Sequence, residues 1–407
     1  MKKLETFYNL PSRVKFCSIC VNSNQYPASI PEFKHSVDRK DALYVNFDKD
    51  DVCDGCKQAK IKMEIDWASR EKQLLKLLDK HRRNDGEYDC LVPGSGGKDS
   101  VYASHLLKYK YGMNPLTVTW PPIMYTDYGY KNYQNWLNIG GFDNITYRPS
   151  GEVMRKLTKI AIETLLHPFQ TFILGQKNLA PKIASKYGIS LVFYGENEAE
   201  YGNPVADNNQ SLRDKSFYSI NNLEKIRLAG RSLAELKEKH NLNLSDLKIF
   251  LPLTPEEYNE NIQIHYLGYY KKWVPQEAYY YAVENTNFKA RPHRTQGTYS
   301  KYNSIDDKID DLHYYTRFIK FGIGRATDDA AQEIRNNHIN REEGKALVKR
   351  FDGELPDRYL KEVLDFIEIN ENYFHERCND FRSPHLWKNE NNKWYLRHTV
   401  NRDGTDD

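Results

Sequence analysis

The 407-residue sequence predicts an α/β protein built on a doubly wound parallel sheet, with an N-terminal four-cysteine module and a mostly helical C-terminal region. Three observations carry that expectation. Short apolar runs of strand type alternate with helical apolar spacing between residues 88 and 194, and such alternation builds a parallel sheet. The first run passes through a glycine turn directly into a helix, and two Cys-x-x-Cys pairs stand ahead of it. The expected partition is 1–70 for the cysteine module and its linker helix, 71–260 for the sheet domain, and 261–407 for the helical region.

Composition narrows the class. The 59 basic and 56 acidic residues leave a formal charge of +3, so no polyanion-binding surface is announced and nucleic acid is not an expected partner. No apolar run nears the roughly 18–20 residues that span a bilayer, so no membrane association is expected. The start, MKKLETFYNLPSRVKFCSIC, carries positive charge without an apolar core, and a cytoplasmic location is expected.

Cys17 and Cys20, with Cys53 and Cys56, give two pairs that can close a tetrahedral four-thiolate zinc site. The 32 intervening residues exceed the usual ribbon spacing of about 15–20, so they must make an excursion from the metal. Four thiolates leave no position for water, which makes such a site structural. A redox pair or chance spacing is the alternative. Residues 57–83 then read as one amphipathic connecting helix with a solvated face.

The segment Tyr88–Ser100, YDCLVPGSGGKDS, organises the rest. Cys90-Leu91-Val92 is a buried-strand run, Pro93 to Gly97 cannot continue it, and Lys98-Asp99-Ser100 open a helix. Glycine N–H groups and a helix N-terminus make an anion site, to which Ser95, Ser100 and Lys98 add donors and charge. Ser95 and Lys98 are expected to face a solvent-accessible loop. The spacing is not that of a Walker loop. The residues resemble the SGGxDS pyrophosphate loop of the N-type ATP pyrophosphatases, which implies an adenine nucleotide alpha hydrolase-like fold. It further implies ATP bound by Ser95, Gly96, Gly97, Lys98, Asp99 and Ser100, and cleavage between the α and β phosphates. A glycine turn without ligand is the bland alternative.

Further strands are expected at 115–120, 144–147 and 190–194, four in all, with helices at 133–137, 152–172 and 181–187. The fourth strand runs into Gly195-Glu196-Asn197, at the edge where such sheets bind ligands. Glu196 and Asn197 are therefore candidate substrate residues, against a solvated acidic loop. Asp127 is a weaker candidate, with an Asx turn as its ordinary reading. Residues 208–261 read as polar and mostly helical.

In the C-terminal region Arg291, Arg294, Thr298, Tyr299, Ser300, Lys301 and Tyr302 offer donors suited to phosphate or a nucleotide-linked sugar. Asp306, Asp307, Asp310 and Asp311 can hold a metal on one helix face, though a solvated helix start is the expected reading. Gly322 and Gly324 precede another helix, where Arg325 can reach an anion.

Taken together, the cysteine pairs, PGSGGKDS, YGENEAEYG, GTYSKY and KFGIGRATDDAAQEIRNNHINREE resemble the bacterial N-acetyl sugar amidotransferases over roughly residues 15–385. The resemblance implies conversion of an acetamido group on a surface-polysaccharide or flagellar sugar to an acetamidino group. ATP would adenylate the amide oxygen, with Lys98 and Asp99 catalytic and Mg2+ neutralising the phosphates. Ammonia would then displace AMP, supplied by a separate glutaminase with an ammonia-channel partner. Lys301, Arg325, Glu196 and Asn197 would contact the N-acetylated sugar. A tRNA-thiolating enzyme and a non-catalytic zinc- and ATP-binding scaffold are the competing readings. The first needs a basic RNA surface that a charge of +3 does not provide.

Overall fold

The computed structural model describes residues 4–28, 32–35, 43–195, 200, 210–257 and 261–401. Five strands form one parallel sheet: β1 (Cys90–Pro93), β2 (Pro115–Thr119), β3 (Asn144–Thr146), β4 (Leu191–Tyr194) and β5 (Gln263–Tyr266). Their order is β3-β2-β1-β4-β5. The chain thus moves outward from β1 to β3, then returns to the other side of β1, which places the switch point between β1 and β4.

Register and burial follow from side-chain alternation. Leu91 pairs with Leu116 and with Val192, and Val192 with Ile264, so these four share one face. That face packs on α5 (Gly151–Leu165) and α6 (Gln170–Tyr187) through Leu157, Ala161, Leu179 and Ala184. Cys90, Val92, Leu191 and Phe193 point the other way, onto Leu74 and Leu78 of α2 (Trp67–His81) and Ala103 of α3 (Lys98–His105). Apolar residues on both faces are what a buried parallel sheet requires. β5 was not among the expected strands because QIHY carries no apolar run. Its His265 is buried, and Tyr270 Oη lies 2.9 Å from His265 Nδ1.

Several boundaries differ from expectation for local reasons. The single helix expected over 57–83 is two, α1 (Asp54–Glu64) and α2, because Ile65 is extended and Asp66 caps α2 by accepting from Ser69 N–H. The helix expected over 152–172 stops at Leu166, which adopts the left-handed conformation at φ 46°. α6 instead runs straight through Pro181. Proline leaves the carbonyl four residues earlier without its helical partner; Tyr194 Oη, 3.5 Å away, takes that Lys177 carbonyl. The helix expected at 133–137 extends over α4 (Asp127–Asn138), started by Thr126, whose hydroxyl accepts from Gly129 N–H. The stretch 210–257 holds one helix of two turns, Leu233–His240, with a shorter one at Leu244–Leu247. It is less helical than expected, and its Tyr218, Ile226, Leu228 and Phe250 join the main core.

The C-terminal helices Asp310–Phe321, Asp357–Ile367 and Glu371–Asp380 bury Leu312, Ile319, Leu360, Ile367 and Phe374 in that same core. The helices Arg325–Arg335 and Arg341–Phe351 and a hairpin of β6 (Trp387–Glu390) and β7 (Lys393–Leu396) complete the region. Among the described residues no helix is long and apolar enough to cross a membrane.

Candidate active site and four-cysteine centre

The glycine turn occupies the carboxyl end of β1, beside the switch point. Gly96 sits at φ 84°, and a Cβ there would lie 2.6 Å from Tyr133 Cα, so both conformation and space demand glycine. Gly97 caps α3 without any side-chain cap, and its own Cβ position is open. Uncapped N–H groups beside open space are what a phosphate oxygen needs. Gly195, just after β4, packs on the Asp99 backbone, where an added Cβ would come within 2.7 Å.

Lys98 does not face solvent as expected; it is 8% exposed, with Nζ 2.5 Å from Asp99 Oδ2 and 5.5 Å above the Trp273 ring. Trp273 Nε1 donates to Asp99 Oδ1 at 2.8 Å. The pair is thus held in place before any ligand arrives. Ser100 Oγ donates to the Gly97 carbonyl, while Ser95 Oγ donates to Asp306 Oδ2 at 2.8 Å.

Two cavities meet at this turn. One, of about 270 Å³, lies over the sheet edge between Gly94, Ser95, Val118, Tyr194, Arg213 and Tyr266. The other, of about 440 Å³, lies between Ser95–Asp99 and a facing wall that includes Asp306, Asp310, His313, Tyr314, Arg317 and Arg325. Ser95, Gly97 and Asp99 line both. A nucleotide in the smaller cavity and a substrate in the larger one would therefore share the loop.

Asp307, Asp310 and Asp311 of the acidic run are buried rather than solvated, against expectation, and Asp306 is half-buried. Asp307 accepts from Ile123, Met124 and Ile309 N–H, and burial raises its carboxyl to about 7. Burial, reinforced by Asp306, raises Asp310 well above the carboxylate range, and its Oδ2 has no hydrogen-bond partner. Asp306 and Asp310 both line the cavity, facing the turn.

Arg325 lines the same cavity, fixed by Nε donating to Asp329 at 3.0 Å and Nη1 donating to Tyr314 at 2.6 Å. Lys301 is exposed on the surface and is not among the residues lining the cavity. Arg294 makes a two-pronged pair with Glu354, at 2.6 and 2.7 Å, and Thr298 donates to Asp329; both serve the fold of their own segment. Asp127 is exposed in the first turn of α4 and is not among the residues lining either cavity. Glu196 and Asn197 lie outside the described residues. Sequence reading missed Trp273, His313, Tyr314 and Arg317, which carry no motif; only the density of Asp306–Asp311 hinted at this wall.

The four cysteines converge in full burial, with Sγ–Sγ distances of 3.8 Å for Cys17–Cys56 and 3.7 Å for Cys20–Cys53. A tetrahedral zinc with Zn–S of about 2.3 Å needs sulfurs about 3.8 Å apart, so the cluster fits that ion. Backbone N–H groups of Cys20, Asn22 and Cys53 point at the sulfurs, and hydrogen bonds from Cys17, Cys20 and Cys56 hold the Cys53 thiol far below its ordinary range. Arg335 Nη2 lies 3.6 Å from Cys53 Sγ and 3.8 Å from Cys20 Sγ, a cation for a thiolate cluster. A Cβ at Gly55 would lie 2.5 Å from that guanidinium, which explains glycine inside the second pair. Arg341 donates to the Cys17 and Cys20 carbonyls. The cysteine module shares its core with Ala330, Ala331 and Ile334, so it is docked on the C-terminal region rather than standing alone.

Residues 296–400 match the C-terminal domain of WbpG-like LPS biosynthesis proteins. An uncharacterized protein of Methanocaldococcus jannaschii is 30% identical over 102 residues, 25% of this chain and 31% of that protein. The chain thus spans about a third of that relative's length. NMN synthetase from Francisella tularensis aligns with a TM-score of 0.26 at 17% identity, over 34% of this chain and 57% of that one, too slight a likeness to argue from.

Proposed function

We propose that this chain is an ATP-dependent, AMP-forming amidotransferase that converts the N-acetyl group of a bacterial surface-polysaccharide or flagellar sugar to an acetamidino group. The observation that carries the reading is the larger cavity. One wall is the pyrophosphate-type loop, and the wall facing it includes residues 302–328, all inside the segment that matches the WbpG-like LPS biosynthesis domain.

An amide carbonyl is a poor electrophile and its oxygen a poor leaving group. Attack of that oxygen on the α-phosphorus of ATP expels pyrophosphate and forms an O-adenylated imidate. Ammonia then adds to the imidate carbon, loses a proton, and AMP departs with the C–O bond. Lys98 and the uncapped α3 N–H groups stabilise charge on the departing pyrophosphate. Trp273 and Asp99 keep the Lys98 ammonium in position. Asp306 and Asp310 would hold Mg2+, which supplies charge neutralisation of phosphate oxygens. Arg325, fixed by Asp329 and Tyr314, contacts the sugar or its carrier.

Ammonia comes from a separate glutaminase partner. Cys90 and Cys378 are both buried, and burial raises their thiols, Cys378 to about 12, so neither is poised as a glutaminase nucleophile. Incubation with ATP, ammonium and N-acetylated sugars should release AMP and pyrophosphate, and 15N-ammonium should label the sugar. ADP as product, or AMP released only with tRNA, sinks the proposal. Because NH3 is the nucleophile, the ammonium-driven rate should rise with pH through neutrality.

A further inference from the structure

We propose that Glu32, His35 and His167 form a second metal site, distinct from the four cysteines, taking one divalent transition ion of the zinc class.

The three side chains come from two distant stretches of chain. Glu32 opens a single 3-10 turn, Glu32–Lys34, with His35 directly after it. His167 occupies the α5–α6 corner, delivered there by the left-handed Leu166. The turn is anchored independently of the three ligands. Gln170 Nε2 donates to the Glu32 carbonyl at 3.0 Å, Arg227 N–H donates to the Phe33 carbonyl at 2.8 Å, and Phe33 is buried in the main core. The donor set is therefore preorganised rather than drawn together by its own contacts.

Its geometry is that of ligands around a shared centre. Glu32 Oε1 lies 3.0 Å from His35 Nδ1 and 3.2 Å from His167 Nε2, and all three atoms fall within 4.8 Å of one another. Tetrahedral ligands about 2.0–2.1 Å from a metal stand about 3.3 Å apart. Despite these short contacts, buried Glu32 Oε1 has no partner with hydrogen-bond geometry.

The chemistry of the donor set agrees. Two imidazoles and one carboxylate are a recurrent zinc set, with a fourth position left for water. The side chains are 8%, 13% and 16% exposed.

The site also touches the larger cavity through one ring. His167 stacks on His313 with centroids 5.0 Å apart and planes 25° from parallel, and His313 lines the cavity wall. An ion here would fasten the N-terminal excursion to the α5–α6 corner and fix His313 from behind. Its role is positioning.

The test uses the full chain, loaded with excess Zn2+ and then desalted. Bound metal is counted by mass spectrometry. Two zinc ions per chain are expected for the native protein, and one for His35→Ala and for the conservative Glu32→Gln. Loading with Co2+ separates the sites further. A thiolate cluster gives intense sulfur-to-cobalt charge transfer, and a His2Glu site gives only weak d–d bands. Both variants should lose the weak bands and keep the charge transfer. One ion in the native protein, or two retained in both variants, overturns the proposal. Should His35→Ala fail to fold, Glu32→Gln, which keeps shape and volume, decides the matter alone.

Discussion

The two walls of the larger cavity are built in opposite ways. One is five consecutive residues, Ser95 to Asp99, running from the turn after β1 into the first turn of α3. The other is gathered from Tyr302 to Asp328, where Arg317 is held by Asp328 and Arg325 by Asp329 and Tyr314, while Asp310 is held by burial. The contiguous wall owes its shape to backbone conformation: Gly96 at φ 84° and an uncapped helix start suffice. The assembled wall owes its shape to charge pairing, so the same substitution chemistry should act on stability in one wall and on turnover in the other.

The largest effect is expected in the assembled wall. Arg317 Nη2 lies 2.7 Å from Asp328 Oδ2, with side chains 13% and 8% exposed. Arg317→Leu strands a buried carboxylate and should cost about 3–5 kcal/mol in urea unfolding. Adding Asp328→Asn should recover most of that loss. A single variant within error of the native protein would show that this wall is not organised by its ion pair.

In the contiguous wall the loss should fall on chemistry. Lys98→Gln should cut AMP formation by roughly 10²-fold or more, the usual cost of one preorganised charge at a developing anion. Ser95→Ala should act in the same direction, since its hydroxyl joins the two walls through Asp306. Lys98 is buried against Asp99, so a modest stability loss of about 1 kcal/mol is expected as well. Unchanged turnover in Lys98→Gln would remove the loop from the reaction.

The contrast also explains what was legible. The cysteine pairs and the glycine turn were readable because their chemistry lies in spacings of a few residues, and the structure brings each set together. The doubly wound sheet was readable in four strands from apolar runs. β5 escaped because its buried His265 is matched by Tyr270, a contact that exists only after folding. Asp307, Asp310 and Asp311 looked like a solvated helix start. Three backbone N–H groups from Ile123, Met124 and Ile309 converge on Asp307, and no local pattern announces that. Arg294 and Arg325 looked alike in sequence; Glu354 ties one into the fold, and Asp329 sets the other against the cavity.

The smallest effect expected concerns Asp352, which shapes the assembled wall from outside. The helix carrying Arg325 begins at Gly324, which has no side chain to cap it. Asp352 acts instead, accepting from Gly324 N–H at 3.0 Å, from Thr327 N–H at 3.2 Å and from the Thr327 hydroxyl at 2.5 Å. Burial nonetheless outweighs these bonds and raises its carboxyl to about 6. The unfolded value is about 3.9, so the folded state binds the proton more tightly. The stability this group contributes is therefore fully present below about pH 4 and is lost as pH rises through about 6. Asp352→Asn keeps an acceptor for the helix N-terminus and removes the titration. Native protein should lose about 1–2 °C in Tm relative to this variant between about pH 4 and 6.5, a shift set by the size of such a term in a chain of this length. If native and variant Tm values run parallel across that window, Asp352 is ionised throughout and the cap, not burial, governs it.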